Sequence, residues 1–110
     1  MEFVTLSYNQ ADFIIQHLES IKYVVNKYSK GEKCFFRLFD DASSDATVAL
    51  VKLWISKNKD LFNHFEINVN ESNIGVANNY ANALESLTSN RFKILAGDDI
   101  YFDQDIFALA

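Results

Sequence analysis

The sequence predicts an α/β fold, a βαβαβαβ three-layer sandwich built around a mainly parallel sheet. Three observations carry this. Short apolar runs alternate with longer stretches whose apolar residues recur every three or four positions. The three glycines, Gly31, Gly75 and Gly97, fall at the joins, and proline is absent. Polar clusters follow the apolar runs, where open parallel sheets hold their ligands.

Residues 3–7 read as a first strand. Residues 11–29 read as a helix, with Phe13, Ile14, Leu18, Ile21, Val25 and Tyr28 at helical spacing and Gly31 as its terminator. Residues 34–39 form an apolar run broken only by Arg37, which suits a strand buried on both faces. Residues 44–57 read as a second helix, with Ser43 or Ser44 as N-cap and Asp45 at its positive end. Residues 64–69 alternate and read as a third strand. Residues 76–88 read as a third helix with Val76, Tyr80, Ala83, Leu84 and Leu87 on one face. Residues 92–95 read as a fourth strand, and 104–110 begin a further helix. Strand–helix alternation of this kind implies right-handed crossovers and a sheet covered on both faces.

The 110 residues make one domain. With 49% hydrophobic and 23% charged residues the chain is neither disordered nor unusual for a globular domain. A net charge of -5 excludes the basic surface that nucleic-acid binding requires. It still permits an anionic ligand if a divalent cation stands between the two. A single cysteine, Cys34, excludes an internal disulfide and reads as a buried thiol. No basic, apolar leader opens the sequence, and no apolar run approaches the ~20 residues of a membrane span. A reducing, cytoplasmic setting is expected.

Four polar clusters follow the four strands: Ser7-Tyr8-Asn9, Asp40 through Asp45, Asn70 through Gly75, and Gly97-Asp98-Asp99. The fold brings all four to one edge of the sheet. Adjacent carboxylates such as Asp98 and Asp99 repel unless a hard cation offsets them, and magnesium or manganese does so with one or two carboxylates plus substrate phosphates. A solvated turn is the competing reading. Asp40 and Asp41 suit contacts to a base or ribose, and equally suit a helix cap. Tyr8 suits stacking on a flat base, or a place at the rim of the core. Asn73, Gly75 and Asn79 surround a helix N-terminus, which attracts phosphate. His17 reads as a surface or packing histidine and His64 as a structural one. There is no P-loop, no Gly-x-Ser-x-Gly elbow and no His–Cys metal cluster. A receiver-like switch lacks its acceptor aspartate, since Asn70 and Glu71 stand there. A nucleotidyltransferase lacks its glycine- and arginine-rich loop after the first strand.

The order of these motifs resembles that of family 2 glycosyltransferases with a GT-A fold. Leu6-Ser7-Tyr8-Asn9-Gln10 resembles their "PTYN", and Asp40 through Thr47 their "DDGSTDNT". Asn73 through Asn79 resembles "NxGVSxARN", and Leu95-Ala96-Gly97-Asp98-Asp99 resembles "LDSDD". The resemblance covers nearly the whole chain, as a truncated nucleotide-sugar-binding domain of Rossmann-like type. It implies base stacking by Tyr8 and a base contact by Asp41. It places Leu6, Asn9, Asp40, Asn73, Gly75, Asn79 and Asp98 around the nucleotide, and a Mn2+ or Mg2+ ion on Asp98 and Asp99.

The implied activity is metal-assisted, inverting transfer from a nucleoside-diphosphate sugar, UDP-linked, to an acceptor hydroxyl in bacterial polysaccharide or cell-surface glycan synthesis. The full-length protein is expected at the cytoplasmic face of the membrane. The general base and the glycan or lipid-linked acceptor site are expected beyond Ala110, so the fragment is expected to be inactive by itself. Self-association is expected where the missing half would pack. Leu6 departs from the usual proline or threonine, Asn78 from the usual arginine, and Ala96 from an aspartate. A non-catalytic nucleotide-binding or structural module is the alternative.

Overall fold

The computed structural model describes residues 1–109. Its strands are β1 (Glu2–Ser7), β2 (Phe35–Asp40), β3 (His64–Val69) and β4 (Phe92–Ala96). Its helices are α1 (Ile14–Tyr28), α2 (Thr47–Lys57), α3 (Val76–Ser86) and a short α4 (Ile106–Leu109). A single 3-10 turn, Lys59–Leu61, precedes β3 and had no sequence signal. Ala110, part of the expected last helix, lies outside the described residues.

All strand pairs are parallel, in the order β3-β2-β1-β4. The order runs outward from β1 through β2 to β3, then reverses across β1 to β4. That reversal makes the gap between β1 and β4 a topological switch point, where the carboxyl ends of the strands open a crevice.

Helices α1 and α2 pack on one face. Ile14, Leu18, Ile21, Val24 and Val25 of α1 meet Phe3, Phe36, Leu38, Val51 and Trp54 in the main core. Cys34 joins this core, and burial pushes its thiol up to about 11. Helix α3 covers the other face, with Ala83 against Val4 and Phe39. Opposite directions of travel thus carry their helices to opposite faces, as right-handed crossovers demand.

Two helix starts differ from the sequence reading. Helix α1 begins at Ile14, because the Gln10 carbonyl gathers the Phe13 and Ile14 N–H groups at 2.9 Å into a preceding turn. Helix α2 begins at Thr47, and neither Ser43 nor Ser44 caps it. The Asp45 carboxylate takes the Thr47 N–H at 2.9 Å instead, while both serines are drawn into bonds across the loop.

The apolar face expected for α3 is buried only in part, at Ala83 and at Leu87, which packs against the smaller core cluster. Its buried residues are Asn79 and Ala83, while Val76, Tyr80 and Leu84 stay exposed, Val76 at 80%. The sheet face on the α3 side is partly polar. Buried Glu2 lies 3.1 Å from Arg37 Nε, Arg37 reaches Glu66 at 2.7 Å, and Glu2 also accepts from the Thr88 hydroxyl at 2.8 Å and the Ser89 N–H at 3.1 Å. The segment after α3 is thereby pinned to the start of β1. His64, expected to be structural, faces solvent at the start of β3, 3.8 Å from Glu66.

Candidate functional site

The loops after β1 and β2 are knitted into one unit. Asp40 is fully buried. Its Oδ1 accepts the Ser7 and Ser43 hydroxyls, both at 2.6 Å, and its Oδ2 accepts the Ser43 N–H at 2.8 Å. Asn9 adopts φ 50, a left-handed conformation that asparagine tolerates. From there its Oδ1 accepts the Ser44 N–H at 2.8 Å, while its own N–H donates to Ser43 Oγ at 2.9 Å.

Asp41 holds the loop after β3. Its Oδ1 accepts from Asn70 Nδ2 at 3.0 Å and the Ile74 N–H at 2.8 Å, and its Oδ2 accepts the Gly75 N–H at 2.9 Å. Burial opposes the charge, yet these donors hold the carboxyl below its ordinary value. An ionised carboxylate offers about four acceptor positions. Three are used here, and Oδ2 keeps one open.

Gly75 enters α3 at φ 90, which only glycine adopts without strain. Asn73 is exposed, and its Oδ1 accepts the Gly75 N–H at 3.1 Å. Asn79 is buried; its Nδ2 donates to the Phe39 carbonyl at 2.9 Å and its Oδ1 accepts from Asn70 Nδ2 at 3.1 Å.

A cleft of about 100 Å³ lies at the switch point, lined by Leu6, Tyr8, Gln10, Asp41, Val76, Asn79 and Ala96. Of the residues singled out in the sequence, Leu6, Tyr8, Asp41 and Asn79 meet here. Asn9, Asp40, Asn73 and Gly75 form the supporting loops instead. Two hollows of larger volume, 270 Å³ and 470 Å³, are lined by residues such as Lys57–Leu61 and Tyr28–Glu32, which lead into β3 and β2. They lie at the wrong end of the sheet for a switch-point ligand. Gln10, Val76 and Ala96 were not assigned to the site from sequence. Gln10 directly follows the strand-end motif, and that position was the available signal. Its Oε1 is the buried side-chain polar atom without a hydrogen-bond partner among the described residues.

Asp98 and Asp99 are exposed in the turn that starts at Ala96, closed by the Asp99 N–H on the Ala96 carbonyl at 3.0 Å. Gly97 lets this turn lie close, since a Cβ there would sit 2.4 Å from Gln10 Oε1 and 2.7 Å from Ile14 Cδ1. Among the described residues neither carboxylate has a hydrogen bond or an ion pair, so both are available to a cation. No group of three or more His, Cys, Asp or Glu is gathered for a metal among those residues. Two free carboxylates nevertheless fit a magnesium or manganese ion that takes its other ligands from water and phosphate.

Below the turn, His17 is fully buried. Its Nδ1 lies 2.6 Å from the Asp99 carbonyl and its Nε2 lies 2.7 Å from Thr5 Oγ1. A carbonyl only accepts, so Nδ1 carries the proton and the Thr5 hydroxyl donates to Nε2. Burial lowers the pKa of the ring, against the opposing pull of the Asp99 carbonyl and the two nearby carboxylates. His17 is therefore the packing histidine of the two readings left open by the sequence.

The architecture is GT-A-like, the class of nucleotide-binding fold found in glycosyltransferases. Solved structures with this fold include the mannosyltransferase PcManGT from Pyrobaculum calidifontis in complex with GDP-Man and Mn2+, at 24% identity and a TM-score of 0.75, covering 97% of this chain and 30% of that one. S. aureus TarS matches at 20% identity and a TM-score of 0.74 over 99% of this chain and 19% of its own. TarS 1-349 in complex with UDP-GlcNAc matches at 22% and 0.68, over 91% and 27%. The chain thus spans less than a third of each of these proteins. No family model and no curated protein matches the sequence. Among the described residues no helix is long and apolar enough to cross a membrane.

Proposed function

We propose that this chain forms the nucleotide-sugar-binding part of a metal-assisted, inverting glycosyltransferase. The observation that carries the proposal is the cleft between β1 and β4. An exposed Tyr8 and an anchored Asp41 both line it, and the turn that starts at its Ala96 carries two unpartnered carboxylates outside the lining. Tyr8 stacks on the base. The open position on Asp41 Oδ2 accepts a base N–H. At about 100 Å³ the cleft is small against the 300–1,000 Å³ of a complete ligand pocket, and so takes one end of the nucleotide.

Asp98 and Asp99 hold a Mn2+ or Mg2+ ion. When bound, that ion supplies Lewis-acid stabilisation of the departing diphosphate. The donors bound by PcManGT and TarS carry different bases, guanine and uracil, so both are tried, with UDP as the expected ligand. The acceptor site, the general base and the membrane-face location belong to a longer protein in this proposal. Self-association runs through the exposed Val76, Tyr80 and Leu84 stripe, and a clean monomer in concentrated sedimentation runs counts against that element.

The second reading is a structural or metal-independent nucleotide-binding module. The commitment of Asp40 and much of Asp41 to protein hydrogen bonds favours it, because such carboxylates hold the fold without any ligand. Calorimetric titration with UDP and GDP, with and without manganese, separates the two. The transferase reading expects metal-dependent binding that is lost in Asp98→Ala and Asp99→Ala. Binding that ignores the metal and survives both substitutions supports the module, and a chain that binds neither nucleotide overturns the donor-site assignment.

A further inference from the structure

We propose that His17 is a positioning residue for the Asp98–Asp99 turn, fixing the backbone from which both carboxylates project. The inference rests on the metal role proposed for that pair. The turn itself has little reason to stay in place. Asp98, Asp99 and Ile100 are exposed, and two neighbouring carboxylates repel each other. Its backbone ties to the sheet are the Gly97 N–H on the Leu6 carbonyl at 2.8 Å and its own closing bond.

Beyond these, two side chains of the described residues bond the backbone of residues 97–101, and both come from α1. His17 Nδ1–H donates to the Asp99 carbonyl at 2.6 Å. Ser20 Oγ accepts the Tyr101 N–H at 2.9 Å. Residues three apart on a helix share a face, so one turn of α1 meets two alternate residues of the extended segment. The pair is rigid. Ser20 Oγ donates back to the His17 carbonyl at 2.6 Å, and the far side of the ring receives the Thr5 hydroxyl at 2.7 Å. Thr5 lies in the middle of β1, which bonds both β2 and β4. The ring therefore transmits the position of the sheet to the turn, through a helix whose core contacts hold it still.

A histidine that only filled the core would need neither bond to be directional. The two ring nitrogens can be separated by substitution. His17→Asn places an amide N–H where Nδ1 stood and keeps the Asp99 bond while losing Thr5. His17→Gln places its amide near Nε2 and keeps Thr5 while losing Asp99. Both variants are melted, and amide hydrogen exchange of Asp99 and Tyr101 is read in the metal-free chain. The proposal expects His17→Asn to keep near wild-type protection and His17→Gln to exchange about tenfold faster at these two amides, at similar melting temperatures.

Titration with manganese and the nucleotide that wild type binds then expects about tenfold weaker binding for His17→Gln and little change for His17→Asn. Equal protection in the two variants, or greater loss in His17→Asn, overturns the positioning role. Wild type that binds no nucleotide with manganese overturns the donor-site reading instead, and the exchange ranking still decides what His17 does to the turn.

Discussion

Gly97 lies directly under Gln10: a Cβ at position 97 would stand 2.4 Å from the Gln10 Oε1 and 2.7 Å from Ile14 Cδ1. Its φ lies outside the left-handed region, so the demand for glycine is one of space. Gln10 can swing its amide aside, but Ile14 is fully buried in the main core and cannot. Gly97→Ala is expected to cost about 1–3 kcal/mol in urea unfolding, the range for overpacking. Adding Ile14→Val should recover part of that loss, and an unchanged midpoint in the single variant would show that the turn shifts freely.

Ala42 presents the opposite case. It sits at φ 63, a conformation that costs an L-residue about 1–2 kcal/mol. It also occupies the glycine position of the "DDGSTDNT" pattern that this loop resembles. Ala42→Gly is expected to raise stability by about 0.5–1 kcal/mol, after allowing for the greater freedom of glycine in the unfolded chain. A thermal melt of the two proteins checks the sign.

Asp41 accepts three hydrogen bonds from the loop after β3; its loss leaves the Ile74 N–H without its acceptor and reduces the Gly75 N–H and the Asn70 amide to their second acceptors, Asn73 and Asn79. Asp41→Ala is expected to destabilise by about 2–3 kcal/mol and to abolish nucleotide binding. Its carboxyl is held below the ordinary value of 3.8. The stability it contributes is therefore complete above that value and is lost as the pH falls through the lower folded one. Urea midpoints of the wild type should fall as the pH drops below about 4, and Asp41→Asn should show a shallower slope over the same window. Parallel slopes would mean that other acidic groups govern acid unfolding.

Arg37 and Glu2 form a buried charge pair between β2 and β1, with Arg37 at 9% exposure and Glu2 at none. Removing one charge strands the other. Arg37→Ala is expected to cost about 3–5 kcal/mol, and the neutral pair Arg37→Met with Glu2→Gln is expected to recover most of it. A double variant as unstable as the single one would show that the network holds the segment after α3 through its hydrogen bonds to Thr88 and Ser89.

The period of the apolar residues was enough to give the βαβαβαβ order, the parallel sheet and the strand positions to within a residue, because these follow from local geometry and crossover handedness. The four polar clusters at the strand ends were legible for the same reason, and Tyr8, Asp41 and Asn79 met in one cleft as the alternation implied. Which face of α3 points inward was legible only in part, at Ala83 and Leu87. Val76, Tyr80 and Leu84 share a helical stripe, yet the helix turns Asn79 to the sheet, since the Phe39 carbonyl and Asn70 wait there for polar partners. Nor could periodicity distinguish Asp40, fully buried and bonded by Ser7 and Ser43, from Asp41, which lines the cleft. They are adjacent aspartates at the end of the same strand, Asp40 closing β2 and Asp41 following it, and only their surroundings in the fold separate them. His17 shows the same limit. The sequence left it open between a surface and a packing histidine, and its two partners are Thr5, 12 residues away, and Asp99, 82 residues away. Local patterning determines elements and their order. Hydrogen bonds between residues remote in sequence exist only once the sheet has closed, and these decide which polar groups hold the fold and which remain free for a ligand.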